Sequence, residues 1–173
     1  MQPVPVVPIQ APISLLEKTP GLLELLLRDL PQDLLQWKPA PDRWSIAEVL
    51  GHMAVIEQLY EQRARRIVVE ESPSLPPYIA APESELQQKP ARQHLEKFVA
   101  LRRAFVFYLH GVPSAAAART GRHHELGTVT LSEMLHELAS HDLGHLRQIA
   151  ELYRANAFHP FAGPFQRYSN PKP

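Results

Sequence analysis

The chain has 173 residues, with 18 lysines and arginines balanced by 18 aspartates and glutamates, and it contains 18 prolines and no cysteine. A net charge of zero without a basic run argues against nucleic acid or an anionic membrane as the main partner. The lack of cysteine excludes disulfides, thiolate zinc ligands and a cysteine nucleophile. No apolar run reaches the ~18 residues of a membrane span, and the N-terminal residues lack the basic start of a secretory signal. We therefore expect a cytoplasmic protein.

The prolines divide the chain into predicted segments. They leave three long proline-free windows, at 42–72, 91–112 and 114–159. Because proline inside a helix costs about 3 kcal/mol, these windows predict helices. The hydrophobic content of 45% predicts one globular domain. We place this domain at 13–168, after a proline-rich segment at 1–12 and before a C-terminal tail at 169–173.

The first predicted helix begins at Thr19 and Pro20, an N-cap residue followed by a proline suited to the first helical position. It carries the apolar run GLLELLLRDL and ends before Pro31. A separate short helical piece at 13–18 remains open. The connection that follows, 31–43, can hold one helical turn near its start.

Two later helices are predicted from the same N-terminal signal. Ser45 with Glu48, and Thr130 with Glu133, have the spacing of a capping box, and each pair precedes an apolar stripe of helical period. These helices should reach about residues 70 and 156. A further helix is predicted from about 90 to 110.

The fold class follows from the amphipathic character of these four helices. Each must bury its apolar face against the others, which predicts an all-α four-helix bundle. We predict loops at 71–89 and 112–129, with some helical character in the second. No segment alternates well enough to predict a strand. The aromatic tail after residue 157 is expected to pack at least in part.

Three of the nine histidines are candidate metal ligands. His141 and His145 are four residues apart, so they lie one turn apart on one helix face, which also carries the apolar stripe. His52 lies near the inward side of the second predicted helix. Three imidazoles leave an open position on a metal ion, as catalytic zinc sites require. The alternative is that these are ordinary buried histidines with protein partners.

The residues beside these histidines can each be interpreted as part of a metal site or as ordinary structural residues. Asp142 and Gln148 could hold an imidazole N–H, although an ordinary interhelical hydrogen bond is the default for both. Gly51 and Gly144 each precede a candidate ligand inside a helix, where glycine costs about 1 kcal/mol relative to alanine. Close approach to a cofactor or tight helix packing would explain these glycines equally well.

The other histidines fit known metal motifs poorly. His136-Glu137 is not followed by a histidine at 140, so the HExxH pattern fails, and a di-iron bundle would need a second Glu-x-x-His pair. We expect the remaining five histidines to be solvated or to border the site without binding metal. They are His94, His110, His123, His124 and His159.

The segments DRWSIAEVLGHMAVIE and ELGTVTLSEMLHELASHDLGHLRQIAEL resemble the DinB-like family of damage-inducible bacterial proteins, the DinB/YfiT-like superfamily. The resemblance covers roughly residues 14–168. Its pattern, W-S-x-x-E-x-x-x-H followed by H-x-x-x-H-x-x-Q, matches here at Trp44 to His52 and at His141 to Gln148. It implies a four-helix bundle, often a homodimer, that holds zinc, nickel or a similar divalent ion on His52, His141 and His145.

The reaction is less defined than the site. The resemblance implies a metal-dependent small-molecule enzyme, and it favours a transferase that uses a low-molecular-weight thiol. The open position on the metal ion could equally serve a metal-dependent hydrolase. Because the chain has no cysteine, any thiol nucleophile would arrive as cosubstrate. No residue identifies a general base, so the catalytic residues stay unassigned. The alternative function is a non-catalytic metal- or ligand-binding stress-response protein.

Overall fold

Four long helices form the frame of the protein, whose computed structural model describes residues 7–80, 86–87 and 89–172. In chain order the helices are α1 Gln10–Leu27, the short α2 Gln32–Gln36, α3 Ile46–Val69, α4 Ala91–His110 and α5 Leu131–Ala157. Helix α3 packs against α4 and α5, and α1 packs against the same two helices. The all-α four-helix bundle is confirmed. Half of the predicted proline-rich start, residues 1–6, and part of the predicted 71–89 loop lie outside the described residues.

Both predicted capping boxes are present. The Ser45 backbone N–H donates to the Glu48 carboxylate at 2.7 Å, and the Glu48 N–H donates to the Ser45 hydroxyl at 3.3 Å. At the start of α5, the Thr130 N–H donates to Glu133 at 2.7 Å, and the Glu133 N–H donates to Thr130 at 3.1 Å. These caps satisfy N–H groups that a helix start leaves without partners, which fixes where α3 and α5 begin.

The predicted start of the first helix at Thr19 is wrong, because α1 runs unbroken through Pro20. Thr19 does not cap a helix; its hydroxyl donates to the Leu15 carbonyl at 3.1 Å. Pro20 has no N–H to offer the Leu16 carbonyl, one turn earlier. The Arg102 guanidinium of α4 donates to that carbonyl at 3.2 Å. A tertiary contact thus supplies the hydrogen bond that the proline removes.

The interior consists of two apolar clusters with a charged layer between them. One cluster contains Phe105 and the N-terminal half of α5, and the other contains Phe98 and the N-terminal half of α3. Between Phe98 and Phe105 lies Arg102, which forms ion pairs with Glu57 and Asp142; the three side chains are almost wholly buried. Arg102 therefore connects α4 to α3, α5 and, through Leu16, α1.

A β-hairpin replaces the end of the predicted 112–129 loop. Strand β1 Thr120–His123 pairs antiparallel with β2 Gly127–Thr130, and Gly127 has a positive φ of 75°. Each strand has only four residues, too few for an alternating pattern to stand out in the sequence. Before the hairpin, Ser114–Ala118 forms a 3₁₀ helix, where the sequence indicated helical character. Among the described residues, no helix is both long and apolar enough to cross a membrane.

The aromatic tail packs only in part, which agrees with the prediction from the sequence. Phe158 contacts Tyr153 of α5 with ring centroids 5.0 Å apart. Phe161, Phe165 and Tyr168, on two short 3₁₀ helices at His159–Phe161 and Gly163–Tyr168, are largely exposed. The predicted homodimer stays a prediction.

The two helical glycines have different surroundings. A Cβ at Gly51 would lie 2.8 Å from Leu86 Cδ2 and 3.0 Å from His94 Cε1, whereas a Cβ at Gly144 would meet nothing within 4 Å. Tight packing therefore explains Gly51. His94 is buried and its Nε2–H donates to the Leu86 carbonyl at 2.9 Å, so the expectation that it is solvated is wrong.

The glycine environments predict stability changes of opposite sign. Gly144→Ala should stabilise the protein by about 0.5–1 kcal/mol, because alanine restricts the unfolded chain and favours helix. Gly51→Ala should destabilise it by up to about 2 kcal/mol, because overpacking costs roughly 1–3 kcal/mol and exceeds that gain. Urea unfolding of both variants beside wild type measures the effect. Stabilisation by Gly51→Ala would show that the packing around this position is looser than described.

Candidate metal centre

Three histidine side chains from two helices converge on one point. His52 extends from α3, and His141 and His145 extend from successive turns of α5. The Nε2 atom of His141 lies 3.1 Å from Nε2 of His52 and 3.1 Å from Nε2 of His145. One ligand atom from each of these three histidines lies within 4.8 Å of the other two, which is close enough for all three to hold one metal ion. No other group of three or more histidines or carboxylates in the described part of the chain meets this condition. The structure thus brings together the three histidines that the sequence singled out.

The outer nitrogens of the three rings have different partners. His145 Nδ1–H donates to Gln148 Oε1 at 2.9 Å, so this ring presents an unprotonated Nε2 to the cluster. His52 Nδ1 lies 3.3 Å from the Tyr78 hydroxyl, where either group can donate. His141 Nδ1 is buried and has no hydrogen-bond partner among the described residues. Gln148 thus fixes the tautomer of His145, as the sequence allowed.

The electrostatics of the site keep the histidines neutral. Burial, with the nearby rings of His145 and His141, lowers the pKa of His52 to about 4. Burial, followed by His145 and the Arg102 charge, lowers the pKa of His141 to about 4. Burial also lowers the pKa of His145, against the opposing effects of Gln148 and Asp142. At neutral pH all three imidazoles are therefore uncharged, and each has one ring nitrogen with a free lone pair.

Neutral rings in this arrangement cannot give every Nε2 atom of the cluster a hydrogen-bond partner. Since His145 carries its proton on Nδ1, its Nε2 can only accept a hydrogen bond. If His141 Nε2 donates to His145, it cannot also accept from His52. If it accepts from His52, its contact with His145 sets two lone pairs 3.1 Å apart. A single cation among the three nitrogens would satisfy them all.

Two aromatic residues that sequence reasoning did not assign to the site line it. The Trp44 ring lies 4.9 Å from the His52 ring and 6.5 Å from the His145 ring, between centroids. The Tyr78 ring meets the His52 ring edge-on at 6.0 Å. In the sequence, Trp44 was marked only as the first position of the family motif, and Tyr78 lies in a proline-rich segment without periodicity. The motif signal near Trp44 could have suggested its role; nothing local marks Tyr78.

The remaining polar candidates lie away from the cluster. Asp142 pairs with Arg102 rather than with an imidazole. His123 and His124 stack on each other at the hairpin turn, and His136 Nδ1–H donates to the Ser132 carbonyl at 2.8 Å. None of these joins the three-histidine group. That none of them binds a metal ion stays a prediction.

Fold and site together define a helical bundle protein with a three-histidine cluster between two of its long helices. The profile of the DinB superfamily matches residues 15–149, and the chain belongs to that superfamily. The family resemblance predicted from the motifs is therefore confirmed.

Two similar proteins have been described. A protein of Oceanobacillus iheyensis named "Putative metal-dependent hydrolase" is 25% identical over 142 residues, covering 81% of this chain and 83% of its own. The solved structure of YfiT from Bacillus subtilis, titled "a probable metal-dependent hydrolase with an unusual four-helix bundle topology", superposes with a TM-score of 0.76. It shares 20% sequence identity and the match covers 85% of this chain and 86% of YfiT. This likeness confirms the fold.

Proposed function

We propose that this protein is a divalent-metal-dependent hydrolase of a small molecule, with the metal held by His52, His141 and His145. The observation that carries the proposal is the convergence of three neutral imidazole Nε2 atoms. The names of the two similar proteins support the same class of activity.

The donor set fits a divalent ion. Ligands about 2.0–2.1 Å from zinc in tetrahedral geometry would lie roughly 3.3 Å apart. Here Nε2 of His141 lies 3.1 Å from Nε2 of His52 and from Nε2 of His145, and the candidate ligand atoms all lie within 4.8 Å of one another. A small movement of one ring would complete such a triangle. Neutral imidazoles suit zinc or nickel, which we propose as the metal, better than magnesium or calcium.

The protein's own groups would prepare the site for catalysis. A divalent ion with three protein ligands supplies a Lewis acid that polarises a substrate oxygen and lowers the pKa of a bound water to ~7. Gln148 holds His145 in the ligating tautomer, and Tyr78 contacts the outer nitrogen of His52. Trp44 packs beside His52 and His145 and gives the site one apolar wall.

Metal analysis and a substrate screen test this function. Wild type and His145→Ala are purified, loaded with zinc or nickel and assayed for bound metal. One ion per wild-type chain and none in His145→Ala supports the site; little metal in both overturns it. His110→Ala is the control, because His110 is exposed at the end of α4.

The same metal-loaded protein decides between reactions. Metal-dependent cleavage of ester, amide or phosphoester substrates supports the hydrolase. Turnover only when a low-molecular-weight thiol and an electrophile are both present would replace it with the thiol transferase that the family resemblance implies. Stoichiometric metal with no turnover in either screen would favour the non-catalytic binding protein.

Gln148→Leu should weaken metal binding by about 10–100-fold, because groups that hold a ligating histidine typically contribute that much. The substitution removes the acceptor 2.9 Å from His145 Nδ1 and frees that ring to change tautomer. Competition with a chromophoric chelator measures the affinity. Gln148→Glu keeps an acceptor oxygen and should retain binding, and an unchanged affinity in Gln148→Leu would contradict the role assigned to this residue.

A further inference from the structure

A cleft of about 640 Å³ opens beside the histidine cluster along the C-terminal half of α5. His141 and His145 belong to its lining, so a ligand in the cleft would contact the candidate metal centre. The C-terminal segment forms another wall, where the Lys172 backbone N–H donates to Glu151 of α5 at 2.9 Å. The segment before α3 contributes Arg43.

The cleft is positively charged although the whole chain is neutral. Its lining includes Arg43, Arg147, Arg154 and Lys172, against the single carboxylate of Glu151 among the described lining residues. Glu151 is already engaged, since one of its oxygens lies 3.4 Å from Arg154 and accepts from the Lys172 backbone. In a chain of formal net charge zero, this concentration of cations is local. Charged clefts focus the field and raise the local concentration of oppositely charged ligands.

The positions of the arginines on α5 set the reach of a ligand. At 1.5 Å per residue, Arg147 lies about 3 Å beyond His145 along the helix axis, and Arg154 lies about 13 Å beyond it. A ligand could therefore place one group at the histidine cluster and an anionic group several ångströms away. Guanidinium groups match the two oxygens of a carboxylate or phosphate in a bidentate geometry.

We propose that this cleft binds an oxyanionic group of the substrate, a carboxylate or a phosphate, through Arg147 and Arg154. The proposal rests on the proposed function for the reacting end of the substrate and adds its chemical class. The arginines act as binding residues, and the substrate is a small organic anion whose reacting bond reaches the histidine cluster.

Calorimetric titration of the zinc-loaded protein tests this assignment. The probes are phenyl phosphate, benzoate and neutral benzyl alcohol, in chloride buffer of constant ionic strength. We expect at least one anion to bind and the alcohol not to bind, and the stronger of the two anions identifies phosphate or carboxylate as the preferred group. Arg147→Ala/Arg154→Ala should lower the anion affinity about tenfold or more. The matched control is Arg103→Ala, an exposed arginine of α4 that does not line this cleft.

The design separates failure of this proposal from failure of the proposed function. If zinc binds stoichiometrically but neither anion binds, or if the double variant binds anions as wild type does, the anion site is overturned and the metal site stands. If His145→Ala holds no zinc yet still binds the anion in an arginine-dependent way, the anion site is supported on its own. If the wild-type protein holds no zinc but binds the anion in an arginine-dependent way, the anion site is supported and the proposed metal-dependent function is overturned.

Discussion

Replacing Arg102 with methionine should destabilise the protein by about 3–5 kcal/mol, the usual cost of removing one partner from a buried ion pair. The Arg102 side chain is 1% exposed and donates to both oxygens of Glu57, at 2.8 and 2.7 Å. It also donates to Asp142 at 2.5 Å and to the Leu16 carbonyl at 3.2 Å. The variant would leave two buried carboxylates and one helix carbonyl without their donor. Urea unfolding monitored by circular dichroism measures the loss.

The loss should depend on pH. Burial raises the pKa of Glu57 above its ordinary value, and the Arg102 guanidinium opposes this rise. Without Arg102 the pKa of Glu57 should rise further. The folded variant would then bind more protons than its unfolded chain, so its stability increases as pH falls through the folded pKa. We therefore expect the difference in unfolding free energy between wild type and variant to shrink as the pH falls below neutral.

Two further variants identify the cause of this effect. Arg103→Met removes the neighbouring, exposed arginine, whose pairing with Glu24 is at the surface, and should change stability by no more than about 0.5 kcal/mol. The triple variant Arg102→Met/Glu57→Leu/Asp142→Leu removes all three charges and should recover much of the loss, since apolar replacement of a buried ion pair is often neutral. A cost of Arg102→Met below about 1 kcal/mol would show that this layer does not hold the bundle together.

Zinc should raise the melting temperature of wild type by roughly 8–16 °C. At a free zinc concentration about 1,000 times the dissociation constant, binding to the folded state stabilises it by ~4 kcal/mol. For a chain of this size each kcal/mol shifts the midpoint by about 2–4 °C. His141→Ala should abolish the shift, because its Nε2 atom lies 3.1 Å from those of both other histidines. Thermal unfolding of protein treated with chelator, with and without added zinc, measures it.

His136→Ala is the matched control for this prediction. His136 lies on the same helix and is partly buried, but its ring bonds to the Ser132 carbonyl rather than facing the cluster. It should retain the zinc-dependent shift even if its own stability differs from wild type. A full shift in His141→Ala would place the metal elsewhere.

Much of α3 and α5 could be predicted from the sequence because their signals are local. Each capping box lies within four residues of chain, and each apolar stripe repeats along one helix. The start of α1 could not be predicted by the same rules. Pro20 lies inside the helix, and Arg102, 82 residues later in the sequence, donates to the Leu16 carbonyl that the proline leaves without its helical partner. The β-hairpin was missed because its strands are short and gain their pairing from each other.

The candidate site likewise combines features that local sequence signals predict with features that depend on tertiary contacts. The spacing of His141 and His145 places them on one face of a helix, and the apolar stripe of the second predicted helix places His52 near its inward side. The contact of Tyr78 with His52 depends on how the loop after α3 folds back. The basic cleft depends on where the C-terminal segment meets α5, since Arg147 and Lys172 are 25 positions apart in the sequence.

By itself the sequence determined an all-α bundle, the beginnings of its two capped helices and the three histidines, because helix period and capping act over a few residues. Only the tertiary structure decided how the Nε2 atoms of those histidines meet, which aromatic residues line them and which cations surround the adjoining cleft. These features depend on contacts between distant segments. The charged layer around Arg102 is the clearest case, since one buried guanidinium meets groups from the three other long helices. No local pattern in the sequence records that arrangement.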